Sequence, residues 1–398
     1  MDILYIGYLL NENLYSSNPA TSTSAGIFEE GLLYEIKHQL KKGTLTILTI
    51  TPNDYYPKGK LYSQKTCDTT KRGLRYSTVQ YLNVPILRQQ TIYSNLKHGI
   101  KKWIKNSKSD RKVILFYNLG TPIVQSIYAF RNKVDCFYSI VCDFFFTQKR
   151  ENIVTSVFHK FTDSVQKKYI SRCSGIILLN RCLAEDYKLK NYLVMEGAIS
   201  DSMISLNPKY KKNDNIISIR YVGALDELHG SKVLIKLGAI LKKQFPGSEL
   251  LVAGRGNMQN EVANSSKNDD TAMHYVGVLT REEANAFIAA ADILLIPHQL
   301  CFQQLRYQFS SKMFDYMASM KPVIVSPMPG LPSEYKEMVF VSSGDDADSI
   351  MNSINYVCSL DHDVLIDRLT KAQDYVINNR TWKKQAERLL DYISCSLE

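Results

Sequence analysis

Ser310, Ser311 and Lys312 stand just ahead of an apolar helical pattern in which Phe314, Met317 and Ala318 share one face; Asp315 follows one turn in. Two hydroxyls and an ammonium at a helix start, where unbonded backbone N–H groups and the positive dipole end also gather, suit a phosphate. A carboxylate one turn further on suits sugar hydroxyls. Arg306, a few residues upstream, adds a guanidinium able to hold phosphate bidentately, and His298 precedes it. Short apolar runs at 292–297 and 321–325 flank these groups, so the segment reads strand, polar loop, helix, strand. In open parallel sheets, ligands sit outside the carboxyl ends of such strands.

The rest of the chain supplies the scaffold. In the first half, apolar runs at 3–9, 45–51, 112–117, 136–142 and 175–179 alternate with helical patterns at 26–40, 121–131 and 157–172. In the second half, strands at 216–223, 249–254 and 273–277 alternate with helices at 231–245 and 281–291, the latter opened by the capping box Thr280 to Glu283. Strands alternating with helices of this length predict doubly wound parallel sheets, and two of them in tandem predict domains facing a cleft. The polar stretch 200–215, with Pro208, marks the boundary between 1–200 and 201–381. Residues 52–80 read as a long basic, Tyr-rich loop, either an acceptor contact or a flexible insertion.

Ser310-x-Lys312-x-x-Asp315-Tyr316-Met317-Ala318-x-x-x-Pro322-Val323-Ile324 resembles the signature of the family-four (group 1) retaining glycosyltransferases, in particular bacterial polysaccharide-assembly enzymes. The resemblance implies the α/β GT-B fold, two Rossmann-like domains facing a cleft, with a final helix at 382–398 crossing back onto the first. It implies a nucleotide-sugar donor as co-substrate with no further cofactor or metal, UDP-sugar favoured over GDP-sugar, and transfer with retention. Carried onto this sequence, the donor-binding positions are Gly26, Gly223, His229, Arg255, Val278, Leu279, His298, Ser310, Ser311 and Asp315. Asp143, Arg306 and Lys312 fall at catalytic positions, and Ser24 and Glu196 on the acceptor side.

The chain also departs from that family. Where Gly-Arg-Leu-x-x-x-Lys-Gly is expected, it has Gly223-Ala224-Leu225-Asp226-Glu227-Leu228-His229-Gly230, so Ala224 and His229 replace the cations that neutralise the leaving diphosphate. Arg306 is the first candidate to replace them, with Lys312, Arg255 and protonated His229 beside it. Tyr307 stands where the first of two acidic residues would be, leaving Gln303, Gln304, Gln308 or His298 for the sugar hydroxyls. The missing groups keep a non-catalytic nucleotide-sugar-binding relative open. A nucleotide-sugar 2-epimerase of the same fold is a second alternative.

Of 398 residues, 45% are hydrophobic and 22% charged, a balance that fits a globular protein rather than a disordered chain. The net charge of +10 is confined to the first half: residues 1–200 hold 28 Lys and Arg against 15 Asp and Glu, residues 201–398 hold 21 against 24. Lys97 to Lys112 interleaves cations with Trp103 and Ile104, which suits an anionic leaflet or simply a solvated helix face. No nucleic-acid motif accompanies the charge. The start of the chain lacks a basic signal-peptide region, so cytoplasmic residence is expected, peripheral on the inner membrane face, with a lipid-linked or other oligosaccharide acceptor. The eight cysteines, without a C-x-x-C pair, are expected to be reduced core thiols.

Overall fold

The computed structural model describes residues 1–12, 14, 23–85, 87–142, 164–199, 201–206 and 217–396. The chain divides into two compact units, one of Met1–Gly197 with Trp382–Glu398, the other of Ala198–Thr381.

The first unit is built on β1 (Asp2–Gly7), β2 (Leu45–Thr49), β4 (Cys67–Thr69), β5 (Arg75–Thr78), β7 (Lys112–Tyr117), β8 (Cys136–Val141), β9 (Gly175–Leu178) and β10 (Tyr192–Val194). Two short strands, β3 (Tyr62–Ser63) and β6 (Tyr81–Leu82), pair separately. The main sheet runs β10-β9-β8-β7-β1-β2-β5-β4, parallel except for β4 against β5. All six residues of β1 and all six of β8 are buried, as expected of strands covered on both faces. Strand order reverses between β1 and β7, so their carboxyl ends flank a topological switch point.

The structure corrects four expectations. The helix after β1, α1 (Thr23–Gln39), begins three residues before Gly26, so Ser24 and Gly26 lie in its first turn and not in a preceding loop. Some of 52–80 is sheet rather than loop, because Thr66 N–H donates to Thr78 Oγ1 (2.6 Å) and Gly73, at φ +79°, turns β4 back onto β5. In α2 (Leu87–Asn106) the apolar stripe Ile92, Leu96, Ile100 and Trp103 is buried, so Trp103 does not accompany the exposed Lys101, Lys102 and Lys105 outward. The cysteines are free, but Cys67, Cys301 and Cys395 are exposed, on an edge strand, in a loop and at the end of the last helix; Cys136 and Cys182 are the buried ones. The last helix, here α12 (Trp382–Cys395), packs with this unit, Trp382 lying 5.3 Å from Phe28 and against Gly31.

The second unit carries β11 (Ser218–Ala224), β12 (Glu249–Arg255), β13 (Met273–Gly277), β14 (Ile293–Ile296), β15 (Val323–Val325) and β16 (Phe340–Val341). They form one parallel sheet in the order β13-β12-β11-β14-β15-β16, with its reversal between β11 and β14. The helix α6 (Ser231–Gln244) buries Val233, Leu234, Leu237 and Leu241, while α10 (Ala347–Ser359) and α11 (His362–Asn379) add Ile350, Ile354, Leu365 and Leu369 to the same core. Thr280 forms its capping box with Glu283 at the start of α8 (Arg281–Ala289). Among the described residues no helix is long and apolar enough to cross a membrane, and no cluster of His, Cys, Asp and Glu could hold a metal ion.

Beneath the end of β1, Glu29 of α1 is 1% exposed; its Oε2 accepts from the Tyr5 hydroxyl (2.9 Å) and the Tyr8 amide (2.9 Å). Burial outweighs these bonds and pushes its carboxyl from 4.5 up to about 7. The folded state therefore holds a proton that the unfolded chain has released. That stabilisation is complete below pH 4.5 and disappears as pH rises through about 7, a swing of about 3 kcal/mol. Urea unfolding of Glu29→Gln is expected to lack this slope; equal slopes in the two proteins would refute the buried proton.

Candidate functional site

The second unit's site begins with a gap between strands. β11 pairs with β12 from Ser218↔Glu249 to Ala224↔Arg255, but with β14 only at Ile219 and Arg220. Past Arg220 the backbone of β11 facing β14 has lost its partner, and a side chain fills the place. Tyr316, fully buried, accepts from the Val222 amide (3.1 Å) and donates to the Val222 carbonyl (3.3 Å). Tyr316 belongs to α9 (Met313–Ala318), so this phenol fixes the signature helix to the central strand at the switch point.

Close backbone packing holds the loops around it. Leu225 N–H donates to Arg255 O (2.9 Å), Met258 N–H to Leu225 O (2.9 Å), and Gln299 N–H to Leu228 O (2.9 Å), tying the ends of β11, β12 and β14 together. Two of the contacts require glycine. Gly254, at φ +139°, would set a Cβ 1.8 Å from Gly223 O, and Gly230, at φ +82°, one 1.9 Å from Pro297 O.

Two histidines meet at this junction. His229, from the loop after β11, and His298, from the loop after β14, stack edge to face with ring centroids 5.0 Å apart. Asp226 Oδ1 lies 2.7 Å from His229 Nδ1 and accepts the His229 amide at 2.9 Å. Burial would raise the Asp226 carboxyl, but the two His229 bonds outweigh it and hold it below the usual range. An ionised Asp226 accepts from His229 Nδ1–H and so fixes the ring's orientation, leaving Nε2 as the other ring nitrogen. His298 is buried; burial first, and the neighbouring His229 second, press its pKa from 6.5 down to about 3. Its Nδ1 lies 3.1 Å from Met328 Sδ, and a thioether can only accept, so Nδ1 carries the proton and Nε2 is an acceptor. The junction thus offers a carboxylate-oriented imidazole beside a buried one held neutral near neutral pH.

The predicted residues distribute as follows. Gly223, Arg255, Val278, Leu279, His229 and His298 all lie at or just beyond the carboxyl ends of the sheet, Arg255 and Val278 exposed. Ser310 and Ser311 form a turn and Lys312 occupies the N-cap position of α9, with no side-chain cap bond. The helix expected from Ser311 therefore begins at Met313 and is six residues long, because Ser310 O already closes a turn onto Met313 N. Asp315 is half-buried in its first turn, and Arg306 ends an exposed 3-10 turn at Gln303–Arg306. In the first unit Glu196 is buried and Ser24 exposed, while Asp143 lies outside the described residues. Sequence reasoning missed Tyr316 as the strand plug; an aromatic hydroxyl within an otherwise apolar face was the available signal. It also missed the register that sets Arg255 beside Ala224.

A neutral His298 in the fold costs stability once the unfolded chain protonates. The loss sets in as pH falls below 6.5 and continues toward about 3, reaching about 2 kcal/mol by pH 5. Relative to wild type, His298→Gln is expected to lose less stability between pH 7 and 5; an unchanged difference across that range would refute the buried neutral imidazole.

Residues 217–359 match the family model described as Glycosyl transferases group 1. Against curated protein sequences the chain has no match. Sucrose-phosphate synthase from Thermosynechococcus elongatus superposes with TM-score 0.66 at 14% identity, covering 99% of each chain. The trehalose-6-phosphate structure from E. coli bound with UDP-2-fluoro glucose gives 0.67 at 11% identity, covering 100% of this chain and 99% of that one. Anabaena HepE in complex with UDP gives 0.66 at 13%, covering 99% and 100%. The chain has the GT-B fold of two Rossmann-like domains, and within it residues 217–359 resemble the glycosyl transferases group 1 family.

Proposed function

We propose that the protein transfers a sugar from a nucleoside-diphosphate donor to an acceptor hydroxyl, with retention and without a metal ion. The observation that carries this reading is the junction at the ends of β11, β12 and β14, where His229, Arg255 and the Ser310–Lys312 turn occupy the edge at which parallel sheets bind phosphorylated ligands. UDP is the favoured nucleotide, in keeping with the UDP named for the E. coli and Anabaena structures.

Within this reading, Asp315 bonds the ribose hydroxyls, and Lys312 and the adjoining N–H groups hold the diphosphate. The bond from the anomeric carbon to the phosphate oxygen breaks as that carbon bonds the acceptor oxygen on the same face. The acceptor's proton passes to the departing phosphate oxygen, giving nucleoside diphosphate and glycoside. Negative charge grows on the phosphate during that step and needs a cation. Arg255 is the cation whose backbone lies in register with Ala224, on the neighbouring strand. Arg306 is the second. The first unit, with its excess of basic residues, takes the acceptor, for which a lipid-linked oligosaccharide of a capsule, exopolysaccharide or O-antigen type is proposed, met by peripheral contact at the cytoplasmic face of an anionic membrane.

Calorimetric titration of the full chain with UDP and GDP, and release of UDP from UDP-sugars in the presence of chelator, test the reading. Arg255→Ala is expected to weaken UDP binding about tenfold, as losing one charge-assisted contact of about 1.4 kcal/mol would do. Arg306→Ala is expected to act in the same direction, and Lys97→Ala to leave binding unchanged. Complete loss of transfer with chelator, restored by a divalent ion, would refute metal independence. Conversion of donor to an epimer without acceptor would favour a 2-epimerase, and UDP binding without transfer a non-catalytic relative.

A further inference from the structure

A cavity of about 410 Å³ opens in the first unit between α2 and the β2–β5 edge of its sheet, built from elements that the preceding reading does not use. Thr46 and Leu48 lie two apart on one face of β2, and Ser77 of β5 is the register partner of Leu48. Opposite them, α2 contributes His98, Lys102 and Asn106 at four-residue spacing, along one helical face. Lys65 comes from the segment before β4. The lining contains no acidic residue, and α2 itself contains none. Trp103, 7% exposed, also lines it, and its indole N–H has no hydrogen-bond acceptor among the described residues.

These groups define a ligand. Lys65, Lys102 and His98 come from two separate segments and call for an anion. Lys105, nearer the helix end, lies outside the lining and suffices for the helix dipole, so Lys102 is not needed there. The hydroxyls of Thr46 and Ser77 and the amide of Asn106 suit sugar hydroxyls, and a ligand oxygen beside the indole would give the Trp103 N–H its acceptor. A nucleobase would want an exposed aromatic face, whereas the ring here is buried; an acyl chain would leave the cations, hydroxyls and amides of this lining without partners. The volume is that of a site for a single small molecule. We propose that the cavity is a saccharide subsite that takes a sugar unit bearing a phosphate or carboxylate, and that it anchors an acidic acceptor away from the reacting hydroxyl. The role of anchor rests on the glycosyltransferase reading; the binding does not.

The chain has two tryptophans, Trp103 and Trp382, so their indole N–H resonances report on the cavity and on a control position within the same unit. With ¹⁵N-labelled full-length protein, titration with glucose 6-phosphate or glucuronate is expected to shift the Trp103 signal and leave Trp382 in place, while neutral glucose does neither. Lys65→Gln and Lys102→Gln, both exposed, are each expected to raise the Kd for the acidic sugars at least fivefold, with melting and UDP binding unchanged. No Trp103 shift, or a Kd indifferent to both substitutions, overturns the proposal. So does inorganic phosphate binding as tightly as glucose 6-phosphate, which would make this a phosphate site. Phosphatidylglycerol vesicles held through Lys65 and Lys102 with no response to acidic sugars would overturn it in favour of a lipid surface. Failure of UDP to bind would refute the donor reading and leave the Trp103 result standing by itself.

Discussion

The second unit depends on one phenol. A parallel sheet that reverses its strand order must let a pair of strands diverge, and wherever they do, backbone N–H and C=O groups lose their partners inside the fold. In this chain the exposed pair belongs to Val222, and Tyr316 satisfies both groups with one hydroxyl. The consequence extends beyond stability. Because the phenol belongs to the helix that follows Lys312, it sets the distance between the central strand and the polar turn at Ser310, Ser311 and Lys312. A phenylalanine would keep the apolar packing and strand two buried backbone groups, so the hydroxyl defines the geometry at this point.

The first unit meets the same problem with different chemistry. Its strand order reverses between β1 and β7, and there a carboxyl from α1 accepts the amide of Tyr8, just past β1. Beside it, Asn118 at the end of β7 accepts the Cys142 amide at 2.9 Å and so closes the neighbouring strand end. A tyrosine can both donate and accept, and so closes a gap where N–H and C=O are both free. The carboxyl of Glu29 serves donors, the Tyr5 hydroxyl and the Tyr8 amide, and its burial leaves it poised near neutrality. The two units therefore respond to acid in opposite senses, Glu29 gaining from protonation where His298 resists it.

Much of this fold was legible because strands buried on both faces write themselves as continuous apolar runs. The capping box at Thr280 and the strands at 249–255 and 273–277 were readable from local pattern alone. What the sequence concealed was set by tertiary packing. Trp103 among lysines reads as a membrane-facing ring, yet its spacing of three and seven from Ile100 and Leu96 places it on the buried stripe. The start of α1 at Thr23 was hidden because Gly26 is a poor helix former whose place in the first turn is imposed by its surroundings. The 3-10 turn at Gln303–Arg306 and the shortening of α9 likewise follow from a loop held at both ends, by Leu228 through Gln299 and by Tyr316.

At the candidate site, residue types were legible and their partnerships were not. His229 reads from sequence as a weak substitute for a lysine. In the structure it is one member of a group in which Asp226 orients it and His298, held neutral, faces it. A neutral neighbour matters for anion binding, since His298 adds no charge of its own and presents an acceptor nitrogen. For the transfer proposed above, the cation that a departing diphosphate requires comes from a side chain that stays charged at every physiological pH. Arg255 meets that condition in the proposed reaction, and the register between β11 and β12 sets its backbone beside Ala224, where the resembled pattern has a cation.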